Sequence, residues 1–144
     1  MGRLKPYFTI KGRATRLDYW RFQLTLAVIG AGLWILTVFA TMLGGWLGVI
    51  PFLFTIPLLV AGICMAVRRL HDRNKSAWWL ALFTFGPFML LAPGHYIQQD
   101  TSPLIVLAVA LLALIGLGLD IWGWIEIGFR RGTKGENRFG PEPD

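Results

Sequence analysis

FQLTLAVIGAGLWILTVFATMLGGWLGVIPFLFTIPLLVAGICMAV, residues 22–67, contains no Asp, Glu, Lys or Arg. A helix needs about 20 apolar residues to cross the hydrocarbon core of a bilayer. This stretch is more than twice that length, so it holds two membrane helices and the turn between them. Gly44-Gly45 is the natural turn, and Trp46 beside it is an interfacial anchor. The first span is therefore expected at about 19–43 and the second at about 46–67. Two more uncharged stretches follow, Ser76 to Gln99 and Thr101 to Leu119. They place a third span at about 77–92 and a fourth at about 103–128. The third is short, so it stands near the bilayer normal, extends past Pro93 or thins the bilayer locally.

Composition agrees. Of 144 residues, 55% are hydrophobic and only 15% charged. Soluble domains average about a quarter charged. A chain this short could not hide so much apolar surface from water, because small folds bury the smallest fraction of theirs. The expected fold is a single all-α membrane domain of four transmembrane helices, with an irregular tail over 129–144.

The net charge of +6 comes from 14 Lys and Arg residues. Arg3, Lys5, Lys11, Arg13, Arg16 and Arg21 precede or open the first span. Arg68, Arg69, Arg73 and Lys75 separate the second from the third. Arg130, Arg131, Lys134 and Arg138 follow the fourth. The two remaining connections contain none. With four spans, all three basic segments fall on one side, which the positive-inside rule makes cytoplasmic. Both termini are then expected in the cytoplasm. The distribution also argues against a nucleic-acid partner, which needs a continuous basic stripe. Tyr19, Trp20, Trp78, Trp79, Trp122 and Trp124 fall at the inner interface in this scheme, and Trp46 and Tyr96 at the outer one.

Local signals sharpen the ends. Thr15-Arg16-Leu17-Asp18 fits a capping box, and Ser76 is placed to cap the third helix. Pro51 and Pro57 in the second span and Gly86-Pro87 in the third predict kinks. Ala27/Ala31 and Thr37/Thr41 place small residues four apart, where helices pack closely. The segment from Pro6 to Arg13 is expected to lie along the membrane surface, apolar side down. The basic N-terminus reads as the flank of a retained span and not as a signal peptide. The lone Cys64 lies in an apolar run and reads as a packing residue.

Three polar clusters meet on the inner face. They are Gly12-Arg13-Ala14-Thr15-Arg16-Leu17-Asp18-Tyr19-Trp20, then Arg68-Arg69-Leu70-His71-Asp72-Arg73-Asn74-Lys75-Ser76-Ala77-Trp78-Trp79, and Gly135-Glu136-Asn137-Arg138-Phe139-Gly140-Pro141. In that order they resemble the bacterial inner-membrane family known as domain of unknown function 805. That pattern has a Gly-Arg-Ala segment leading to an acidic-Tyr-Trp triplet. An Arg-Arg-Leu-His-Asp loop ending in Trp-Trp follows, then an Asn-Arg-aromatic-Gly-Pro tail. The departure is Arg73-Asn74-Lys75, where the family often has a turn with glycine. The resemblance implies a membrane fold but no activity and no cofactor.

The chemistry must then come from the residues. Arginine pairs bidentately with carboxylate or phosphate. Arg13, Arg69, His71 and Arg138 are the candidates for gripping a lipid headgroup or phosphate. Asp18, Asp72 and Asn137 are the candidates for a structural clamp, with Arg69 and Arg138 paired to Asp18 and Asp72. The clamp is favoured over the binding site. His71-Asp72 resembles the His-Asp pair of metal-dependent phosphohydrolases, but the other histidine, His95, lies on the opposite side, so no metal is expected. No catalytic triad or phosphate loop is found. Asp120 and Glu126 are acids within the fourth span, about 9 Å apart along the helix, and intramembrane acids are functional candidates.

The leading reading is a non-enzymatic membrane protein whose basic cytoplasmic face engages anionic lipid or a protein partner. The alternative is a small homo-oligomeric transporter or channel using Asp120. A membrane-embedded enzyme acting on a lipid headgroup, with His71 as base, ranks last.

Overall fold

The computed structural model describes residues 5–98 and 101–143. Arg3 of the first basic segment and the side chain of Lys5 lie outside what it describes. Among the described residues the chain is helical and has no strands. An isolated bridge between Asn137 and Gly140 ties a turn in the tail.

A 3-10 turn, Lys5–Phe8, precedes α1, Arg16–Leu43. The α1 start is set by its capping box. Thr15 Oγ1 accepts from the Asp18 N–H at 3.1 Å, and the Asp18 carboxylate accepts from the Thr15 N–H at 3.3 Å. After Gly44 the chain re-enters through a 3-10 turn, Gly45–Gly48, a short α2, Val49–Leu53, and α3, Thr55–Asp72. The break at Phe54 has an identifiable cause. Pro57 has no N–H to give the Leu53 carbonyl, and its ring crowds that carbonyl. Phe54 instead closes a tighter turn onto the Pro51 carbonyl at 3.2 Å. α4, Trp78–Leu91, contains Pro87 without interruption and passes into a 3-10 turn, Ala92–Tyr96. α5, Pro103–Trp124, ends in a π-helical turn, Ile125–Phe129.

Three stretches, Arg16–Leu43, Gly45–Asp72 and Pro103–Phe129, are long and apolar enough to cross a membrane. α4 has 14 residues, about 21 Å at 1.5 Å per residue. The outward surfaces carry Leu24, Trp34, Phe52, Leu59, Phe88 and Leu107, all exposed. Such a surface suits hydrocarbon and not water.

Three local expectations change. Ser76 does not cap α4. Ala77 already has helical geometry, and the Trp79 N–H goes to the Ser76 carbonyl at 3.2 Å, not to its hydroxyl. The Arg68–Asp72 motif is not loop: α3 continues through it for five residues beyond the expected span. Ala27 and Ala31 are exposed and make no helix interface. Thr37 and Thr41 do mark a close approach, since a Cβ on Gly48 would run into Thr41 Oγ1 and the Thr37 carbonyl, and further close approaches occur at glycines of α5. A Cβ on Gly123 would lie 2.7 Å from Phe83, and one on Gly116 would lie 3.0 Å from Leu90, so α4 and α5 sit nearly backbone to backbone.

The start of α1, the end of α3, the start of α4 and the end of α5 share one end of the bundle. The Ala14 N–H donates to the Arg68 carbonyl at 3.2 Å. Trp20 Nε1 donates to the Gly128 carbonyl at 2.9 Å. The Trp79 and Trp122 rings meet edge to face at 5.7 Å. The buried core lies here as well, formed by Ala14, Tyr19, Met65, Leu70, Phe83 and Ile127.

Candidate functional site

That same end collects the charges. Gly12, at φ +83°, turns the chain so that Arg13 points inward. Glycine reaches this left-handed geometry without the steric cost of a Cβ. Arg13 Nε and Nη2 donate to Asp72 Oδ1 at 3.0 and 2.9 Å. The rest of the guanidinium donates to backbone carbonyls of the tail, Gly135 at 2.6 Å, Thr133 at 2.5 Å and Gly140 at 3.3 Å.

Arg69 approaches from the other side, fully buried. It pairs with Asp72 Oδ2 one helical turn along α3. Its Nε donates to the Ile127 carbonyl at 3.0 Å, and its Nη2 donates to the Arg130 carbonyl. These carbonyls belong to the end of the π turn, where helix geometry leaves acceptors without internal partners and the helix dipole favours a cation. Asp72 is thus held bidentately by two guanidiniums, each finishing its fork on backbone oxygens. Its own carbonyl accepts from the Thr133 N–H at 2.8 Å and the Thr133 hydroxyl at 3.0 Å. Three parts of the chain far apart in sequence, the segment after Gly12, the end of α3 and the run from the π turn into the tail, are fixed at one carboxylate.

A second cluster lies beside it. Glu126, in the π turn, is fully buried. Arg73 Nε and Nη2 reach its Oε1 at 3.1 Å. Arg130 Nη1 reaches Oε2 at 2.9 Å, and Lys75 Nζ lies 3.9 Å from Oε1. Lys75 also sits 3.6 Å above the Trp79 ring, a cation–π contact that holds the ammonium at the aromatic level of the bundle.

The tail closes over both. Asn137 Nδ2 donates to the His71 carbonyl at 3.0 Å and to Thr133 Oγ1 at 2.8 Å, while its Oδ1 accepts from the Phe139 N–H at 2.9 Å. The Phe139 ring stacks on His71 at 3.8 Å and nearly parallel. His71 Nδ1 faces the Gly12 carbonyl at 3.2 Å. Arg138 donates to the Asn74 carbonyl at 2.9 Å and lies over the Phe139 ring. Asn74 itself has φ 56°. Asparagine is among the few residues that adopt this geometry readily, so the turn after α3 forms here without a glycine.

The sequence expectations divide accordingly. Arg13, Arg69, His71, Asp72, Asn137 and Arg138 meet in one assembly. Asp18 does not join it. Its carboxylate caps its own helix and takes the Thr15 hydroxyl at 2.7 Å. The expected pairing of Arg138 with a carboxylate is likewise replaced by a backbone carbonyl, and Arg13 takes that place on Asp72. The expected headgroup ligands Arg13 and Arg69 are buried and already bonded. His71 and Asp72 face different partners, so they form no common His-Asp unit. Asp120 lies on the exposed face of α5 and belongs to neither cluster. The Glu126 partners Arg73, Lys75 and Arg130 were not singled out from sequence. The four-residue spacing of Glu126 and Arg130 was the available signal. Gly132 was also missed: a Cβ there would overlap the Asp72 carboxylate.

No solved structure matches this chain. Among curated proteins, YhaH, named an inner membrane protein of Escherichia coli strain K12, is 30% identical over 147 aligned residues, covering 97% of this chain and 91% of YhaH. The inner membrane protein YhaI of the same organism is 38% identical over 86 residues, 60% of this chain and 70% of YhaI. The uncharacterized protein YiiR is 30% identical, covering 94% of this chain and 86% of YiiR. The model of a family described as "Protein of unknown function (DUF805)" matches residues 7–141, a range that takes in the Arg13–Asp72–Arg69 clamp, the Glu126 cluster and most of the tail. This chain is a membrane protein of the DUF805 family.

Proposed function

We propose that the chain is a four-span, non-enzymatic inner-membrane protein with both termini cytoplasmic, whose clamped basic end engages anionic lipid headgroups. The carrying observation is the division of the cations. Arg13 and Arg69 are buried and satisfied by Asp72 and backbone carbonyls. Lys11, Arg16, Arg21, Arg131 and Lys134 remain exposed around them. The clamp gives a fixed platform, and the rim gives a positive field. Each rim cation near an anionic surface contributes about 1 kcal/mol.

The fourth crossing is supported by the length of α4 with its continuation. The 14-residue helix supplies about 21 Å. The five residues Ala92–Tyr96 add about 10 Å at roughly 2 Å each. Together they match a hydrocarbon core of about 30 Å. The exposed Tyr96 ring then falls at the outer interface.

The test is thermal unfolding of the purified chain in detergent with added phosphatidylglycerol or phosphatidylcholine. Phosphatidylglycerol is expected to raise the midpoint more, and salt to shrink the difference. Equal midpoints at low salt would count decisively against the reading.

One observation favours the alternative of a homo-oligomeric transporter: Asp120 stands exposed within the apolar α5. Unpaired acids at that depth normally find a polar partner. Flux in liposomes that survives Asp120→Asn unchanged would remove its support.

A further inference from the structure

A cleft of about 680 Å³ lies between the Lys5–Phe8 turn, the first turns of α1 and the inner half of α3. That volume is in the range of about 300–1,000 Å³ typical of small-ligand sites. The cleft is asymmetric in its chemistry. Phe22, Thr25, Leu58, Ala61 and Met65 form a largely apolar body, while Asp18, Arg21 and Arg68 stand at its mouth.

The frame of this cleft is fixed. The Ala14 N–H donates to the Arg68 carbonyl at 3.2 Å, and Arg68 Nη2 returns a bond to the Arg13 carbonyl at 3.1 Å. The Tyr7 ring stacks on Phe22 at 5.4 Å and roofs one side. Along α3, the wall from Arg68 to Leu58 covers ten residues, about 15 Å. Beside that wall α1 and α3 touch, since a Cβ on Gly62 would lie 3.6 Å from Leu26.

The mouth carries an available cation. Arg21 is exposed, and its guanidinium pairs with no group among the described residues. The single carboxylate at the mouth, Asp18, is already bonded to the Thr15 hydroxyl and N–H. A guanidinium above a long apolar slot, at the depth where the bundle's aromatic rings gather, matches a phosphate joined to an acyl chain.

We infer that this cleft is a binding site for one anionic phospholipid, with the headgroup phosphate on Arg21 and an acyl chain along Phe22, Ala61 and Met65. It deepens the reading above and rests on it: the rim supplies a diffuse field, and the cleft supplies one discrete site.

The test is native mass spectrometry of the full chain, delipidated and titrated with equal phosphatidylglycerol and phosphatidylcholine. Four proteins are compared, the first three being wild type, Arg21→Gln, and a rim variant with Lys11, Arg131 and Lys134 changed to Gln. Thr25→Phe, which fills the slot from an exposed position, is the fourth. One tightly retained phosphatidylglycerol is expected in the wild type and in the rim variant. Arg21→Gln should lower its preference over phosphatidylcholine about fivefold, the worth of one cation near an anionic surface. Thr25→Phe should lower retention of both lipids. Preference lost in the rim variant but intact in Arg21→Gln would overturn the cleft and leave the basic-face reading standing. No preference in the wild type would overturn both. Displacement of the lipid by millimolar inorganic phosphate would overturn the acyl-chain component.

Discussion

Asp72 ties the segment after Gly12, the end of α3 and the tail to one another. Its carboxylate pairs with two buried guanidiniums at once, and its carbonyl receives the tail. Removing one partner of a buried ion pair leaves the other charged and unsolvated, at a cost of about 3–5 kcal/mol. Asp72→Asn is therefore expected to destabilise the chain by that amount, measured by denaturant unfolding in detergent. An effect below about 1 kcal/mol, the size typical of exposed pairs, would mean that the clamp is not structural. Gly132→Ala tests the same contact from the opposite side. Its Cβ would intrude on the Asp72 carboxylate, and overpacking of this kind costs about 1–3 kcal/mol. The capping box at Thr15 was legible in the sequence because its partners are three residues apart. The pairing of Arg13 with Asp72 was not, because 59 residues separate them and only the convergence of helix ends brings them together. Asp18 shows the same limit from the other direction: as an acid among arginines it looked like a clamp partner, yet the nearer Thr15 takes it.

At the scale of elements, α5 does two jobs along its length. Its glycines let α4 approach, and its π turn delivers Glu126 to Arg73, Lys75 and Arg130. π turns often mark functional or strained positions. Here the wider turn carries a buried acid and leaves carbonyls open to Arg69. Gly123→Ala should separate α4 from α5, since the new methyl would lie 2.7 Å from Phe83. The expected loss is about 1–3 kcal/mol. Gly118→Ala, on the same helix with nothing within 4 Å, should change stability little or raise it, because alanine is the better helix former. If the two substitutions behave alike in thermal unfolding, close α4–α5 packing is not what these glycines provide. The helix boundaries themselves were largely legible, because charge-free runs and proline positions are local features. The break at Phe54 follows from Pro57 in the same way. The extension of α3 through Asp72 was not legible: Arg68, Arg69 and Asp72 are polar, and polarity alone reads as loop until their buried partners are known.

At the scale of the whole molecule, the proposed orientation makes a direct prediction. With Cys64 replaced by alanine, single cysteines at Lys11, Gln98 and Lys134 report sidedness to a membrane-impermeant maleimide applied to spheroplasts. Only the cysteine at Gln98 should label before the membrane is broken. Labelling at Lys11 or Lys134 in intact spheroplasts would invert or break the four-span scheme. The positions are informative because they sit in the connections that the charge distribution assigns to opposite faces.

The sequence by itself determined the solvent of this protein and the approximate helix ends. Both follow from local runs of hydropathy, charge and helix-breaking residues, which need no knowledge of distant partners. It also gathered its basic residues into three segments. What those residues do was decided only by the tertiary structure. Whether an arginine is free or held depends on which carboxylates and carbonyls lie within about 3 Å, and that is set by how helix ends from opposite parts of the chain meet. The fold assigns Arg13 and Arg69 to the interior and leaves Arg21 at the mouth of an apolar cleft.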